Sequence, residues 1–372
     1  METDRSSGGR YRLWPIRRNM LVGLCAIGAV VIPVVGAFAY VGGFLIPDRL
    51  TQARIIDGFE TVNGVHPGFR RNHAKGVCIA GHFTGSGNGV ALSKAAVFAP
   101  VTTPVTGRFA VAVGKPFVPD NETQVRSMAL SFRTANGEEW RTGINDIPVF
   151  PVRDAKSFYD QLLASAPDPA TGKPDPAKLQ AFFAAHPETV AALKLLKARP
   201  VSSGFTNASY NSLNAFRLIS ATGASTPVRW SMVANEPFVP ASPATGADTN
   251  YLFDDLIARV SKGPVQWHLM MTVGEAGDAT ADATVPWPDA RKRIDMGTLT
   301  IDHVEAEGPG NCRDVNFDPL VLPSGIEPSD DPLLSARSAA YSTSFTRRAG
   351  EAKTPSQVTP AEVQNPATAK GS

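Results

Sequence analysis

Residues 70–76 read Arg-Arg-Asn-His-Ala-Lys-Gly, one histidine among three cations, closed by a glycine. Nearby positive charge favours the neutral imidazole, so His73 is a candidate general base, a role that needs a neutral ring within hydrogen-bond reach of a proton. The other five histidines (66, 82, 186, 268, 303) show no HxxxH or HxH spacing, and Cys25, Cys78 and Cys312 form no CxxC. A zinc site or dithiol centre is therefore not indicated. There is no GxSxG elbow, Walker loop or Rossmann fingerprint; Gly-Ser-Gly-Asn-Gly at 85–89 lacks a following GK[ST] and reads as a turn. Arg337 stands four residues before Tyr341, which on a helix puts a guanidinium beside a phenol.

Several phrases in order carry a resemblance. His73-Ala-Lys-Gly76, Gly-Arg-Phe-Ala-Val-Ala-Val-Gly at 107–114, Asn-Asp-Ile-Pro-Val-Phe-Pro-Val-Arg-Asp-Ala-Lys-Ser-Phe at 145–158 and the stretch 317–341 ending Arg337-x-x-x-Tyr341 resemble the haem catalases, as does Asp-Ala-Thr-Val-Pro-Trp-Pro at 282–288. The resemblance runs over about residues 50–350 and looks most like the small, exported or membrane-anchored catalase-related peroxidases, because the chain stops soon after the tyrosine. It implies haem b, with Tyr341 as the axial iron ligand, His73 as acid and base and Asn145 as a donor that orients peroxide. It also implies Arg70, Arg108, Arg337 and Arg348 around the haem edge and its propionates or beside the phenolate, and Phe150 and Phe158 in an apolar channel wall.

Those residue types suit those tasks. A phenolate is a strongly donating ligand for a ferric iron, and positive charge together with the metal keeps a tyrosine ionised far below its ordinary pKa near 10. Arginine matches a carboxylate with two parallel hydrogen bonds. Two positions depart from the family. Asn72 stands where catalases have a small β-branched apolar residue. Ala110 stands where they commonly have a serine whose hydroxyl fixes the tautomer of the distal histidine; with alanine, that partner must come from elsewhere, backbone or water among the candidates. Both departures favour a slower peroxidase, re-reduced by a small organic donor, over a true catalase. Lipid hydroperoxide rearrangement, and a haem-binding or sensor protein without turnover, are the other readings.

The elements that must position these residues are mostly strands. Short alternating runs near 81–86, 108–114, 128–134, 148–153, 214–221, 227–234 and 265–273 read as strands, with Asn136-Gly137 as a hairpin turn. Residues 48–66, 154–165, 176–199, 249–263 and about 331–345 read as helices. The expected fold is α+β: a catalase-like closed antiparallel barrel of about eight strands with helical insertions, preceded by one transmembrane helix.

Met20 to Ile46 is almost wholly apolar and no charge falls between Asn19 and Pro47, enough to cross a bilayer. Five arginines (5, 10, 12, 17, 18) against Glu2 and Asp4 precede it, which puts residues 1–18 in the cytoplasm. The organisation expected is a cytoplasmic 1–18, an anchor at 19–47, a haem domain at 48–350 on the periplasmic side of the inner membrane, and a disordered tail at 351–372. A cleaved signal with Ala37-Phe38-Ala39 as its site is the competing reading. The remaining chain is nearly neutral, which argues against nucleic acid as a partner; oligomeric state is left open. In an exported body Cys78 and Cys312 are permitted a disulfide, but nothing in their spacing calls for one.

Overall fold

The computed structural model describes residues 18–42, 44, 49–242 and 249–360. Two units divide at Thr51/Gln52. In the first, helix α1 (Arg18–Val41) contains Pro33. Its stretch Asn19–Val41 is long and apolar enough to cross a membrane, a test that a signal sequence also passes. Residues 1–17 of the expected cytoplasmic segment, 43 and 45–47 of the expected anchor, and residue 48 lie outside the described residues.

The second unit runs α2 (Gln52–Asn63), β1 (Gly76–Gly85), β2 (Thr102–Val111), β3 (Arg126–Arg133), β4 (Glu139–Asn145), α3 (Ala155–Ala164), α4 (Pro176–Ala185), α5 (Pro187–Ala198), β5 (Tyr210–Asn211), β6 (Phe216–Ile219), β7 (Ser225–Ala234), α6 (Tyr251–Val260), β8 (Val265–Val273), β9 (Arg293–Glu305), β10 (Ile326–Pro328) and α7 (Pro332–Ala349). The sheet order is β10-β6-β7-β5-β4-β3-β2-β1-β9-β8, and β8 pairs back onto β7. Eight antiparallel strands thus close into the expected barrel, with β6 and β10 as an extension. Closure removes the free sheet edges that would invite aggregation.

Alternation sorts each strand into an inner and an outer face. The inner residues are aromatic: Phe83, Phe109, Phe132, Trp140, Trp230 and Trp267 are fully buried, with Phe132 stacked on Trp140 at 4.7 Å between centroids. Truncating one such ring to alanine typically costs roughly 3–5 kcal/mol. The barrel is therefore a filled core, and the outer faces of β1–β4 are free to build a site.

Four local expectations change. The run 148–153 forms no strand; Pro148 and Pro151 remove the donors a ladder needs. The helical stretch 176–199 breaks at His186, because Pro187 starts a new helix as its first residue. Strand β9, the longest in the barrel, was not foreseen. Its apolar positions shift phase from 294 and 296 to 299 and 301 around Gly297, whose φ of 141° breaks the two-residue period. Finally, the segment 351–360 is packed rather than disordered: Val358 is buried in the core and Glu351 accepts from Gly68 N at 2.7 Å. Residues 361–372 lie outside the described residues.

Candidate active site

Register places the site. Across β1–β4, Gly76, Ala110, Ser127 and Asn145 form one row and Cys78, Arg108, Ala129 and Gly143 the next. Both rows point away from the buried aromatics, because Phe109, Met128 and Ile144 between them face the core. Glycine and alanine make the middle of this floor shallow. A Cβ on Gly76 would lie 2.4 Å from the Arg108 guanidinium carbon, and one on Gly143 would lie 3.2 Å from Tyr341 Oη.

His73 sits just before β1 with φ 56°, a left-handed conformation that is costly for a residue with a side chain. Its Nδ1 is 3.0 Å from Ser127 Oγ, and Ser127 Oγ donates to Asn145 Oδ1 at 2.5 Å. The carbonyl oxygen of Asn145 can only accept, so the single hydroxyl proton goes there. Ser127 Oγ is then the acceptor for His73 Nδ1–H, and Nε2 carries the free lone pair. Burial, followed by the charges of Arg108, Arg337 and Arg70, lowers the pKa of His73 to about 3. The ring is neutral at any ordinary pH.

Tyr341 and Arg337 lie on α7, whose start is fixed by Asp331 accepting from Leu333 N at 2.9 Å. The guanidinium of Arg337 is 6.0 Å from the Tyr341 ring centroid. It donates to Gly143 O at 3.0 Å and to Asn214 Oδ1, while Asn214 Nδ2 donates to Asp331 Oδ2 at 2.7 Å. A chain Asp331–Asn214–Arg337 therefore sets the cation beside the phenol. Leu213, next to Asn214, also has positive φ (64°) and lines the same cavity. Among the described residues no protein group hydrogen-bonds to the Tyr341 hydroxyl, which opens on that cavity.

Three arginines close one end. Arg70 donates to Glu307 Oε1, Cys312 O and Val315 O, each at 3.0 Å. Arg108 donates to Glu307 Oε1 at 2.7 Å. Arg348 donates to Arg313 O and, at 3.1 Å, to Val315 O. One segment, 307–315, thus holds all three. Burial alone would raise the Glu307 carboxyl, but the Arg108 and Arg70 guanidiniums hold it down at about 2. Burial and the neighbouring cations lower Arg70 well below the usual arginine range, as expected where positive charge exceeds negative. Cys78 on β1 is joined to Cys312 by a disulfide, a pairing that the sequence permitted and its spacing left open. The pairing spans 234 residues of sequence and became visible only once β1 and this segment met.

The opposite wall is apolar. Phe150 and Phe158 stack at 6.1 Å, and Phe59 of α2 meets Phe158 at 5.5 Å; Ile55 and Ile56 of α2 complete it. Helix α2 is held over the cavity by ion pairs: Asp57 to Arg347 at 2.6 Å, Glu60 to Arg347 at 3.1 Å and Glu60 to Arg71 at 2.7 Å. Arg71 is also bonded to Glu351. All nine residues singled out in sequence (His73, Asn145, Tyr341, Arg70, Arg108, Arg337, Arg348, Phe150 and Phe158) line this one cavity. The sequence reading missed Ser127, Asn214 and Glu307. Ser127 shares its run with Ser131, so its hydroxyl carried no distinguishing signal in the sequence.

A family model described as Catalase matches residues 50–367. A catalase-related peroxidase of Synechococcus elongatus is 36% identical over 301 residues, covering 80% of this chain and 89% of the relative. One of Mycolicibacterium paratuberculosis is 33% identical over 304 residues, covering 81% and 96%. A catalase of Pseudomonas aeruginosa is 31% identical, covering 75% of this chain but 56% of the relative. Among solved structures, a fungal catalase superposes with a TM-score of 0.68 at 19% identity and a bacterial catalase with 0.67 at 23%. The chain spans 60% and 62% of the length of those two.

Proposed function

The chain belongs to the catalase family, and from that premise we propose that it is a haem-b peroxidase that cleaves hydrogen peroxide or an organic hydroperoxide and is re-reduced by a small organic donor. It is an oxidoreductase acting on peroxide, and proteins of its family bind haem. The cavity fits that group: an uncommitted phenolic oxygen, a floor of alanine and glycine that a larger side chain would fill, apolar walls, and three cations against one carboxylate at the end where two propionates need partners. Tyr341 would ligate the iron, and Arg70, Arg108 and Arg348 would hold the propionates. When bound, haem supplies a centre that takes two oxidising equivalents from the peroxide and passes them to the donor.

The rest is the work of this chain. His73 Nε2 takes the proton from the peroxide O–H and returns it to the leaving oxygen, so that the O–O bond breaks with an alcohol or water as the leaving group. The Asn145 NH2, its oxygen occupied by Ser127, donates to the peroxide and holds it in reach. Arg337, set by Asn214, keeps a cation beside the Tyr341 ring. Phe150 and Phe158, with Ile55, Ile56 and Phe59, restrict water and bulky donors. The net change is ROOH plus AH2 giving ROH, water and A. Helix α1 as an uncleaved anchor would hold the 48–350 domain on the periplasmic face of the inner membrane.

The observation that carries this reading is the hydrogen-bonded row His73–Ser127–Asn145 on the cavity that Tyr341 opens onto. That row also favours a second reading, a true catalase in which another peroxide is the reductant. Ser127 supplies the hydroxyl that Ala110 lacks, and so removes one of the two departures that argued for a slow peroxidase. The test is the full chain in detergent, loaded with haem, assayed in parallel for phenolic donor oxidation and for oxygen release. Donor oxidation with little oxygen supports the peroxidase, rapid oxygen without donor oxidation supports the catalase, and absence of a Soret band on loading refutes both.

A further inference from the structure

Asn72 is the departure that the structure does not neutralise. Its Oδ1 accepts from the backbone N–H of His73 at 3.0 Å. A main-chain N–H can only donate, so the carboxamide oxygen must face it and the NH2 group is the other end. Among the described residues no acceptor meets that NH2 group, and Asn72 lines the cavity beside His73 and Asn145. Asn145 is tied in the same way, with its oxygen taken by Ser127. The two carboxamides flanking the imidazole therefore both spend their oxygens on the protein and keep their N–H donors for the cavity. His73 Nε2 is the acceptor that the imidazole keeps, its Nδ1 being taken by Ser127.

A simple alkyl hydroperoxide offers its O–O group to His73 and Asn145 and has no further oxygen. A peroxycarboxylic acid has a carbonyl oxygen two atoms from the terminal O–H, and a second amide donor matches it. We propose that Asn72 is a specificity-determining residue whose amide hydrogen-bonds the carbonyl oxygen of a peroxycarboxylic acid, so that acyl peroxides are preferred over alkyl hydroperoxides. The proposal rests on the peroxidase reading and names a substrate class for it.

A merely structural role is the alternative, since the bond to His73 N also supports a left-handed backbone. Two variants separate them: Asn72→Ala removes both functions, whereas Asn72→Asp keeps the acceptor for His73 N and has no N–H to give. The haem-loaded chain is assayed with peracetic acid and with ethyl hydroperoxide. In parallel, calorimetry measures equilibrium binding of acetohydroxamic acid, an uncleavable isostere of peracetic acid, and of N-ethylhydroxylamine, which lacks the carbonyl. Asn72→Asp should lower the peracetic acid rate and the hydroxamate affinity about threefold to tenfold, the range of one neutral hydrogen bond, and lower ethyl hydroperoxide and N-ethylhydroxylamine less; Asn72→Ala, which also loses the bond to His73 N, should lower all four, the two carbonyl compounds most. An equal fall for all four compounds, or an aspartate variant as effective as wild type on peracetic acid and the hydroxamate, overturns the proposal. If wild type turns over no peroxide, the peroxidase reading fails, and hydroxamate binding by the three proteins still decides what Asn72 recognises.

Discussion

Ala110 on β2 and Ser127 on β3 are directly opposed, and the hydroxyl that meets His73 Nδ1 belongs to the second of them. The family's usual serine position holds a methyl group, yet the partner for the imidazole is present one strand away. From there the same hydroxyl reaches Asn145, so one side chain orients both the imidazole and the carboxamide.

Exchanging the two residues tests this. Ser127→Ala should slow the reaction with peroxide about tenfold, because His73 Nδ1–H loses its acceptor and the ring can take the wrong tautomer. Ala110→Ser combined with Ser127→Ala should recover much of that loss. A double variant as slow as the single one would mean that the hydroxyl acts through Asn145 rather than the imidazole. Pre-steady-state peroxide kinetics give the readout.

The depressed pKa of His73 has a sign that can be measured. Between about pH 6.5 and pH 3 the unfolded chain binds a proton that the folded chain refuses. Stability is fully present above 6.5 and is lost as pH falls through that window, by at most about 1.4 kcal/mol per pH unit for this one group. Glu307, with its folded pKa at about 2 against 4.5, continues the loss in the same direction below pH 4.5. Urea unfolding of the haem-free chain from pH 7 to 4.5 should show the decline, and His73→Phe should flatten it. An identical slope in the variant would remove the assignment.

Asn214 couples α7 to its cation. Asn214→Ala leaves Arg337 without one acceptor and Asp331 without one donor in a buried setting. The expected loss is about 1–3 kcal/mol of stability. If Arg337 acts on Tyr341, the haem-loaded variant should also show a shifted charge-transfer band. Lower stability with an unchanged spectrum would make the network a fastening of the helix alone.

Cys312→Ser should destabilise the protein by about 2–5 kcal/mol, as expected for a link closing a long loop. It should also weaken haem binding, because the released segment carries Glu307 and the carbonyls that hold Arg70 and Arg348. Haem titration at a temperature where the variant remains folded separates the two effects. Equal affinity would restrict the disulfide to stability.

What could be read in advance follows from what lies close in sequence. The His73 and Tyr341 phrases are contiguous and ordered, so chemistry and fold class were legible together. Ser127 was not, because its task depends on which residue of β2 it opposes, and register is a property of the pair. Glu307 and the disulfide were hidden for the same reason at longer range, since Cys78 and Cys312 become neighbours only through closure of the barrel. Strand β9 was missed because Gly297 shifts its alternation midway, although the strand itself is long.

The covalent tie between β1 and the arginine-holding segment gives maturation an order. A chain with free thiols lacks the link that pins the segment holding Arg70, Arg108 and Arg348, so oxidation should come before stable capture of the cofactor. Reductant added before haem should lower loading, whereas reductant added afterwards should meet a bridge that is fully buried and leave loading intact. Equal effects in both orders would dissolve that sequence of events. If it holds, cofactor retention would depend on the redox state of the compartment in which the chain folds.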